Sequence, residues 1–468
     1  MSKIEQPVAI IGAGITGLTA AWKLGQKGVP VRVLEADPFI GGASRTVNFD
    51  GGFRFDLGGH RLYTRNKEVL GVINTLLPGE VITVPRISRI YIRGKFANYP
   101  LSFFNALGAL GPVTSCGVAA SYGWERVKQV FRTPPEKSFE DWIVSRFGRR
   151  LYEIYFKPYS EKVWGIPCEE LGADFAAQRI KGMSFREALK NMLFKDRNAP
   201  VTLADEFHYP RHGFGRIPEA MAATLPAGSI ELRAPAVRLE HDGKRINSVV
   251  YSKDGREVSI QPSHVIGTAA ITDMLRALSP AAPKEVLDAA SGLCYRDMVI
   301  LFITVNRPQV TTDHWIYFST DDVFFGRIHE PKNWSREMAP ADKTGIVVEV
   351  FCFETDPVFS EPDDSITRRT IQRLDELKMV GAKEVAGSTV IRLKKAYPLY
   401  VPDYQQRTKV VFDYMRRLGN FQAAGRNGMY RYTSADYYME MGLRAADNAM
   451  GGNFDLMQIA AEKEYAEK

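Results

Sequence analysis

Cysteine is scarce in this chain, and the few cysteines are scattered. In 468 residues they occur without any Cys-x-x-Cys pair, at Cys116, Cys168, Cys294 and Cys352. A zinc ribbon needs clustered cysteines, and a disulfide-stapled domain needs many of them. The sequence therefore excludes both, offers no metal-ligand motif, and predicts free thiols in a reducing, cytoplasmic compartment.

The chain also lacks internal repeats, low-complexity segments and a strong charge excess. Lys and Arg total 61 against 54 Asp and Glu, which gives a net charge of +7, while 45% of residues are hydrophobic and 25% are charged. This composition excludes disordered, collagen-like and fibrous chains. The small positive excess favours an acidic ligand without indicating nucleic acid. No basic segment precedes an apolar core at the N-terminus, so no signal peptide is predicted.

Charged residues are missing from one long stretch, Leu101 to Trp124, whose length would suffice to span a bilayer. We expect two short helices there, broken at Gly111-Pro112, because proline both ends and begins helices. The alternative is a helix that contacts a membrane surface without crossing it, so peripheral membrane association stays open.

Periodicity along the chain predicts an interleaved α/β protein. Residues 1–60 follow the order strand, glycine turn, helix, strand, glycine turn, and residues 100–195 have mostly helical spacing. Residues 229–268 alternate like strands, and residues 295–355 are rich in β-branched and aromatic residues, which predicts a second, antiparallel sheet. A glycine turn and a helix are expected between Gly425 and Met450.

Local signals mark the ends of several elements. Ser138 followed by Asp141 predicts a helix cap. Turns are predicted at Asp242-Gly243 and at Asp254-Gly255, between the alternating segments.

A glycine fingerprint follows the first strand. In Val8-Ala-Ile-Ile-Gly12-Ala-Gly14-Ile-Thr-Gly17 the first glycine permits a tight turn, the second lets the backbone approach a pyrophosphate, and the third lets the helix pack on the sheet. The second strand ends at Glu35, whose carboxylate can accept hydrogen bonds from a ribose diol. The dinucleotide contacts predicted in this unit are Gly12, Gly14, Ile15, Thr16, Gly17, Glu35 and Ala36.

A second glycine turn, Gly41-Gly42-Ala-Ser44-Arg45, comes just after this acid. It resembles the continuation found in FAD-containing amine oxidases, protoporphyrinogen oxidases and UDP-galactopyranose mutases. The resemblance implies that Gly42, Ser44 and Arg45 lie along the FAD diphosphate and the isoalloxazine ring. Arginine suits that position because its guanidinium forms paired hydrogen bonds to phosphate oxygens.

Other segments resemble cofactor motifs of the same group. Phe55-Asp-Leu-Gly58-Gly59-His60 resembles the flavin-facing loop of the mutases, and Gly425-Arg426 onward resembles their late signature, in which a helix start covers the flavin pyrimidine. A helix N-terminus there would stabilise negative charge on reduced flavin. The further cofactor contacts that the resemblance implies are Gly58, Gly59, His60, Val237, Gly425, Arg426, Ala435 and Asp436.

Substrate residues are also implied by resemblance to the mutases. Trp164 occupies the place of a tryptophan that stacks on uracil, although another flat ligand or a core position is equally open to it. Arg327 resembles an arginine that pairs with the substrate diphosphate, with a structural ion pair to Glu330 as the alternative. The candidate catalytic residues are His60, Arg327 and Tyr397. The candidate substrate contacts are Tyr159, Trp164, Arg179 and Tyr432.

The sequence departs from the mutase pattern at several of these motifs. Met183 stands where a second substrate arginine is expected, and Ser434 and Ala435 replace an acidic residue and a methionine before Asp436. The loop reads Gly-Gly-His where the mutases have Gly-Pro-His. These changes keep a flavin site and weaken the case for UDP-galactose, because charge-assisted pairs anchor a diphosphate.

The resemblance implies a Rossmann-like FAD-binding domain completed by the C-terminus, with an interleaved substrate domain of antiparallel sheet and helices. The FAD-binding segments are expected at 1–100, 206–290 and 416–468, the helical region at 101–205 and the substrate-domain sheet at 291–415.

Three functions remain open from the sequence. The first is an FAD-dependent oxidoreductase that transfers hydride from a small substrate to flavin N5, with oxygen or another oxidant as electron acceptor. The second is a redox-neutral, mutase-like flavoenzyme acting on a nucleotide sugar, and the third is a non-catalytic flavin-binding protein. The substrate can be phosphate- or nucleotide-linked. FAD is expected to be non-covalent, since no cysteine follows Cys352.

Overall fold

The glycine fingerprint lies at the carboxyl end of the first strand of a five-stranded parallel sheet. The computed structural model describes residues 6–92, 94–99, 111–131, 135–173, 175 and 206–459. All four residues of Val8–Ile11 are buried, as in parallel strands covered on both faces. The strand order is Phe421–Ala423, His264–Gly267, Val8–Ile11, Val31–Leu34 and Ile230–Glu231, all parallel.

The C-terminal part of the chain completes this sheet, which confirms the predicted fold. The strand Phe421–Ala423 pairs with His264–Gly267, and the helix Ala435–Ala449 packs against the helix Ile15–Gln26. Gly442 allows the two helices to approach closely, because a Cβ atom there would lie 2.5 Å from the carbonyl oxygen of Thr16. The N-terminal nucleotide unit is therefore completed by residues that lie about 400 positions later.

A seven-stranded sheet forms the second domain. Its strand order is Val385–Pro398, Tyr295–Val305, Thr344–Cys352, Arg327–His329, Trp315–Phe318, Ser88–Ile92 and Lys95–Tyr99. The three longest strands pair antiparallel, which confirms the antiparallel sheet predicted for residues 295–355. The segments 88–92 and 95–99 belong to this sheet, although the sequence analysis assigned them to the first FAD-binding segment. The domain boundaries otherwise stay predictions.

The two faces of this sheet carry different side chains, since successive residues of a strand point to opposite faces. One face joins the core of the dinucleotide domain through residues such as Met298, Ile300 and Trp315. The other face packs Val299, Leu301 and neighbouring side chains into a separate apolar core. The charged side chains of Arg327 and Glu349 lie on the first face, which borders the candidate site.

The remaining strands form smaller sheets, and both predicted turns are confirmed. A four-stranded sheet has the order Arg256–Ile260, Ile246–Lys253, Ala236–His241 and Leu278–Ser279. Asp242-Gly243 and Asp254-Gly255 connect its antiparallel strands. Two two-stranded antiparallel sheets complete the set: Thr46–Phe49 pairs with Phe53–Asp56 through a short turn, and Val81–Pro85 pairs with the distant strand Glu206–Pro210.

Helices fill the connections, and the predicted cap is confirmed. Ser138 accepts a hydrogen bond from the Asp141 backbone at 3.1 Å, and the Asp141 carboxylate accepts one from the Ser138 backbone. The principal helices are Ile15–Gln26, Lys67–Leu76, Pro112–Phe131, Phe139–Phe147, Lys157–Trp164, Arg216–Ala223, Ile271–Arg276, Lys284–Ser291, Asp363–Glu376, Tyr404–Met415 and Ala435–Ala449.

The uncharged stretch is described from Gly111 onward. A helix begins at Pro112, as predicted, and continues without a break to Phe131. Residues 101–110, where the first short helix was predicted, lie outside the described residues. Within the described ranges, every helix is too short or too polar to cross a membrane. All four cysteines are unpaired.

Candidate functional site

The glycine fingerprint forms a tight turn between the first strand and the helix Ile15–Gln26. Gly12 has a φ of +106°, a backbone conformation that residues other than glycine rarely adopt. Gly14 precedes the helix and faces open space, since a Cβ atom there would meet nothing within 4 Å. The free N–H groups of the first helical turn point into this space, which suits an anionic ligand.

Glu35 follows the strand Val31–Leu34 and lies beside this turn. Its carboxylate accepts hydrogen bonds from the backbone of Ala13 at 2.7 Å and of Asp37 at 2.9 Å. Burial raises the pKa of Glu35, and these hydrogen bonds oppose the rise. Each carboxylate oxygen has a further lone pair, so Glu35 can still accept hydrogen bonds from ribose hydroxyls. Ala36 continues this segment, and Val237 lies on the separate strand Ala236–His241 with 42% of its surface exposed.

The second glycine turn lies directly against the first. Gly41 pairs with Gly14 in a parallel bridge, and the Gly41 backbone donates to the carbonyl of Ala13 at 2.8 Å. Gly42–Ser44 then form one short helical turn that ends at Arg45. The Arg45 guanidinium lies 4.5 Å from the Phe39 ring centre. The structure therefore brings the two glycine motifs together, although they are 24 or more residues apart in sequence.

Four buried polar atoms of this region lack a hydrogen-bond partner among the described residues. They are Nε of Arg45, Nδ1 of His60, Oδ1 of Asn427 and Oγ1 of Thr433. Other buried side-chain atoms of the described residues, such as Nε of Arg307 and Nε of Arg373, also lack a partner. Because buried polar atoms are nearly always satisfied in native proteins, a polar ligand bound at these four atoms would supply the partners they lack. Donors and acceptors both occur in the set, as a ligand with phosphates and a polar ring would require.

His60 lies half-buried next to this region, and its Nδ1 atom is buried. Burial, together with the charges of Arg426 and Arg327, lowers the pKa of His60 to about 3. Its ring stacks on Phe214 at 5.3 Å between centroids. Gly59 lies against the seven-stranded sheet, since a Cβ atom there would be 3.9 Å from the Arg327 guanidinium carbon. His60 is thus held where it can exchange hydrogen bonds but cannot act as an acid at neutral pH.

Arg327 pairs with Glu349 across the sheet, and the alternative of an ion pair with Glu330 is wrong. Arg327 Nε donates to Glu349 Oε1 at 2.9 Å, and its Nη2 donates to Oε2. The two residues are direct cross-strand neighbours. Glu330 points to the opposite side, where it accepts hydrogen bonds from Val310, Thr311 and Thr344. Successive side chains along a strand point to opposite faces, so Arg327 and His329 share one face and Glu330 points to the other.

Glu349 is the principal charged residue that sequence reasoning missed. Its side chain is fully buried, and His329 Nδ1 lies 3.4 Å from Oε1. Burial raises the pKa of Glu349, but the Arg327 charge and hydrogen bonds from His329 and Arg327 outweigh burial and hold the pKa at about 2. A signal existed in the sequence, since Glu349 is the one charged residue in the apolar strand Thr344–Cys352.

The aromatic cluster of the site consists of Trp164, Tyr397 and Tyr432. Trp164 is 6% exposed and lies edge-on to Tyr432 at 6.0 Å and to Tyr397 at 6.2 Å, while Tyr397 and Tyr432 meet at 5.0 Å. Burial, and then the Tyr432 hydroxyl, raise the pKa of Tyr397 to about 12. The Arg426 guanidinium lies 5.3 Å from the Tyr397 ring and donates to the carbonyl of Ala396 at 2.9 Å. The Tyr397 phenol stays protonated, and the rings of Tyr397, Tyr432 and Tyr438 lie around the Arg426 cation.

Other predicted residues lie nearby or at the margin. Tyr159 meets Tyr317 edge-on at 5.5 Å, and Tyr317 is the cross-strand neighbour of Arg327. Gly425 precedes Arg426 with a φ of +79°. Asp436 is in the first turn of the helix Ala435–Ala449 and accepts a hydrogen bond from Ser434. Arg179 lies outside the described residues.

Lys162 is a second residue that sequence reasoning left without a role. Its ammonium donates to the carbonyls of Phe318 at 3.2 Å and Val323 at 2.7 Å, and also to that of Thr320. Burial lowers the pKa of Lys162 to about 8. The lysine ties the helix that carries Tyr159 and Trp164 to the loop that precedes Arg327.

Comparisons with known proteins agree with this architecture. The family model for flavin-containing amine oxidoreductases matches residues 15–449. A protein named probable UDP-galactopyranose mutase, from Klebsiella pneumoniae, is 24% identical over 222 residues, which cover 46% of this chain and 52% of that protein. Coproporphyrinogen III oxidase from Propionibacterium freudenreichii is 23% identical over 86% of this chain and 83% of its own length.

Solved structures show the same fold. Reduced UDP-galactopyranose mutase superposes with a TM-score of 0.84 at 21% identity, covering 99% of both chains. Putrescine oxidase with putrescine bound superposes with a TM-score of 0.65 at 17% identity, covering 96% of this chain and 99% of the other. Mutases and oxidases therefore share this architecture, and the fold alone does not choose between their reactions.

Proposed function

The chain belongs to the family of flavin-containing amine oxidoreductases, and from this premise we propose that it is an FAD-dependent oxidoreductase acting on a small molecule. FAD is the cofactor of this enzyme. When bound, FAD supplies an acceptor for a hydride equivalent at its N5 atom. The chain's own residues bind and orient the reactants, exclude water and set the local charge.

The site residues fit this cofactor. We propose that Gly14 and the first turn of the following helix contact the diphosphate, with Glu35 on the ribose. Arg45 would then give its unpartnered Nε to a phosphate oxygen. His60 and the start of the helix Ala435–Ala449 would border the flavin ring, where Nδ1 of His60 and Oγ1 of Thr433 each need a hydrogen-bond partner.

The charge balance between the sheet and the aromatic cluster carries the proposal of oxidation. The charge of Arg327 is matched by Glu349 in a buried pair, His60 is neutral, and Tyr397 keeps its proton. Arg327 therefore brings no uncompensated charge to this site, while the Arg426 cation lies against the Tyr397 ring and donates to a backbone carbonyl. Hydride transfer from a C–N or C–C site, with orientation by aromatic walls, fits these groups best.

An anaerobic titration tests this proposal. Purified holoprotein is mixed without oxygen with amines, porphyrinogens, polyenes and sugar-linked compounds in turn. We expect one class to abolish the visible absorbance of oxidised flavin, and admission of oxygen or another oxidant to restore it. Full retention of that absorbance with every class, together with turnover that leaves the flavin's redox state unchanged, would contradict the proposal.

A redox-neutral mutase is the second candidate, favoured by one feature of the site. The ring centres of Trp164, Tyr397 and Tyr432 lie within 6.2 Å of one another, and aromatic side chains of this kind can stack on a flat base. Conversion of UDP-galactopyranose to its furanose isomer after dithionite reduction, and not before it, would establish this function. Absence of binding by uridine nucleotides would exclude it.

FAD is predicted to be held without a covalent bond to cysteine. Burial raises the pKa values of Cys168 and Cys352 to about 12, so both thiols stay protonated and unreactive at neutral pH. The side chain of Cys352 also belongs to the apolar core on the far face of the sheet. Trichloroacetic acid should therefore precipitate a colourless protein and leave yellow FAD in the supernatant. A coloured pellet would refute this prediction.

A further inference from the structure

Asp56 is a buried carboxylate that the proposed function does not use. It ends the strand Phe53–Asp56, two residues before Gly58, and is 1% exposed. Its Oδ1 accepts a hydrogen bond from the Thr46 hydroxyl at 2.5 Å, and its Oδ2 accepts one from the Tyr209 hydroxyl at 2.6 Å. The backbone N–H of Phe214 donates to both oxygens, at 3.1 and 3.3 Å. The donors therefore come from two segments of the chain, one at Thr46 and the other from Tyr209 to Phe214.

Two of these donors adjoin the proposed cofactor contacts. Thr46 directly follows Arg45, and its hydroxyl oxygen also accepts a hydrogen bond from the backbone of Gly215 at 2.7 Å. Phe214 stacks its ring on His60. Asp56 thus connects the segment on the phosphate side of the site with the segment on the ring side.

The packing around this carboxylate leaves no room for rearrangement. A Cβ atom at either Gly213 or Gly215 would collide with the Thr46 side chain. Burial raises the pKa of Asp56 to about 6, although its hydrogen-bond donors oppose the rise. A carboxylate in such surroundings is costly unless each oxygen is hydrogen-bonded. The chain retains this costly group where two loops meet, the segment around Arg45 and Thr46 and the segment from Tyr209 to Gly215.

We propose that Asp56 is the positioning residue that holds Arg45 and His60 in their FAD-binding geometry. This inference rests on the proposed placement of FAD against those two residues. Asp56 does not touch the cofactor itself. It acts through Thr46 on the Arg45 segment, and through Phe214 on the His60 ring. Loss of its acceptor oxygens would free both loops, and FAD would then bind at the additional cost of ordering them.

The chain offers a matched control in Glu330. This carboxylate is likewise buried, and it accepts hydrogen bonds from four groups, namely the backbones of Val310 and Thr311, the Thr344 hydroxyl and the Asn333 side-chain amide. Its partners lie outside the proposed cofactor site. Replacement of Glu330 should therefore reproduce the loss of stability without the loss of FAD affinity.

The experiment measures FAD affinity and thermal midpoint on apoprotein of five variants, by quenching of FAD fluorescence and by circular dichroism. Asp56→Ala should weaken FAD binding at least about 30-fold, since two loops lose a charged hydrogen-bond acceptor. Asp56→Asn should recover affinity to within about 3-fold, because its oxygen can accept from Thr46 and its amide can donate to Tyr209. The bound flavin of Asp56→Asn should also regain the wild-type visible spectrum.

The other three variants distinguish a positioning role of Asp56 from a general loss of stability and from a wrong placement of FAD. Glu330→Ala should lower the thermal midpoint as much as Asp56→Ala does and keep FAD affinity within about 3-fold. Tyr209→Phe removes one donor only and should weaken FAD about 3- to 10-fold, which keeps the test valid if Asp56→Ala does not fold. Arg45→Met tests the placement of FAD.

Two results would overturn the inference. If Asp56→Ala and Glu330→Ala weaken FAD binding equally, the role of Asp56 is only structural. If Arg45→Met weakens binding while Asp56→Ala and Tyr209→Phe leave it unchanged, the placement stands and Asp56 is not a positioning residue. Unchanged binding in Arg45→Met would refute the placement itself. No substrate enters these measurements, so they do not depend on the choice between oxidase and mutase.

Discussion

Glu349→Ala is expected to lower the free energy of unfolding by about 3–5 kcal/mol, because removal of one partner of a buried ion pair leaves the other charge uncompensated. In the folded protein Glu349 is fully buried and the Arg327 side chain is 19% exposed. The guanidinium would lose both hydrogen bonds and keep most of its desolvation cost. Urea unfolding of the apoprotein measures this change.

A double variant separates the lost charge pair from lost packing. Arg327→Met combined with Glu349→Leu replaces both charges by apolar side chains of similar size, and should recover most of the stability that Glu349→Ala loses. Equal destabilisation by the double and single variants would contradict this explanation. It would show that shape, and not charge compensation, governs this part of the sheet.

The loss of stability caused by Glu349→Ala should also depend on pH. The pKa of Glu349 is about 2 in the folded protein, below its ordinary value of 4.5. A depressed pKa stabilises the fold fully above the unfolded-state pKa, and the contribution is lost as the pH falls through the folded-state pKa. The difference in stability between wild type and Glu349→Ala should therefore shrink as the pH is lowered from about 5 towards about 2. A constant difference would be inconsistent with the ion pair.

Gly14→Ala is expected to weaken FAD binding about 100-fold, which corresponds to about 3 kcal/mol, while the apoprotein folds normally. A Cβ atom at Gly14 would meet no protein atom within 4 Å, and the backbone φ of −73° is open to alanine. The methyl group would instead enter the space where the diphosphate approaches the backbone. Fluorescence titration of apoprotein with FAD measures the loss.

Two further glycine variants serve as controls. Gly71→Ala also meets open space, on the exposed side of the helix Lys67–Leu76, and should leave FAD affinity unchanged and slightly raise stability. Gly17→Ala should impair folding itself, because its Cβ atom would collide with the carbonyl oxygen of Gly12. Normal FAD affinity in Gly14→Ala would show that the diphosphate does not approach this turn.

Local patterns predicted a large part of the fold. The glycine fingerprint, the capping pair Ser138 and Asp141, and the turn at Asp254-Gly255 each depend on the conformations of a few adjacent residues. The return of the C-terminal segment to the nucleotide domain was predicted by a different route, from resemblance to known flavoenzymes.

Local patterns did not predict the partners of the charged groups in the site. Arg327 and Glu330 are three residues apart, which suggested an ion pair, yet Arg327 pairs with Glu349 on the neighbouring strand. The segment 88–92 was expected within the first FAD-binding segment, and its strand pairs in the seven-stranded sheet. The sequence of so short a strand does not indicate which sheet it joins.

By itself, the sequence determined the dinucleotide turn, the order of the elements and the family, since these depend on local backbone constraints and on motifs at fixed spacing. Only the tertiary structure decided which buried charges meet. Asp56 receives hydrogen bonds from residues 153 and 158 positions away. The register of strands and the packing of loops create such contacts, and both depend on the whole fold and not on any one segment.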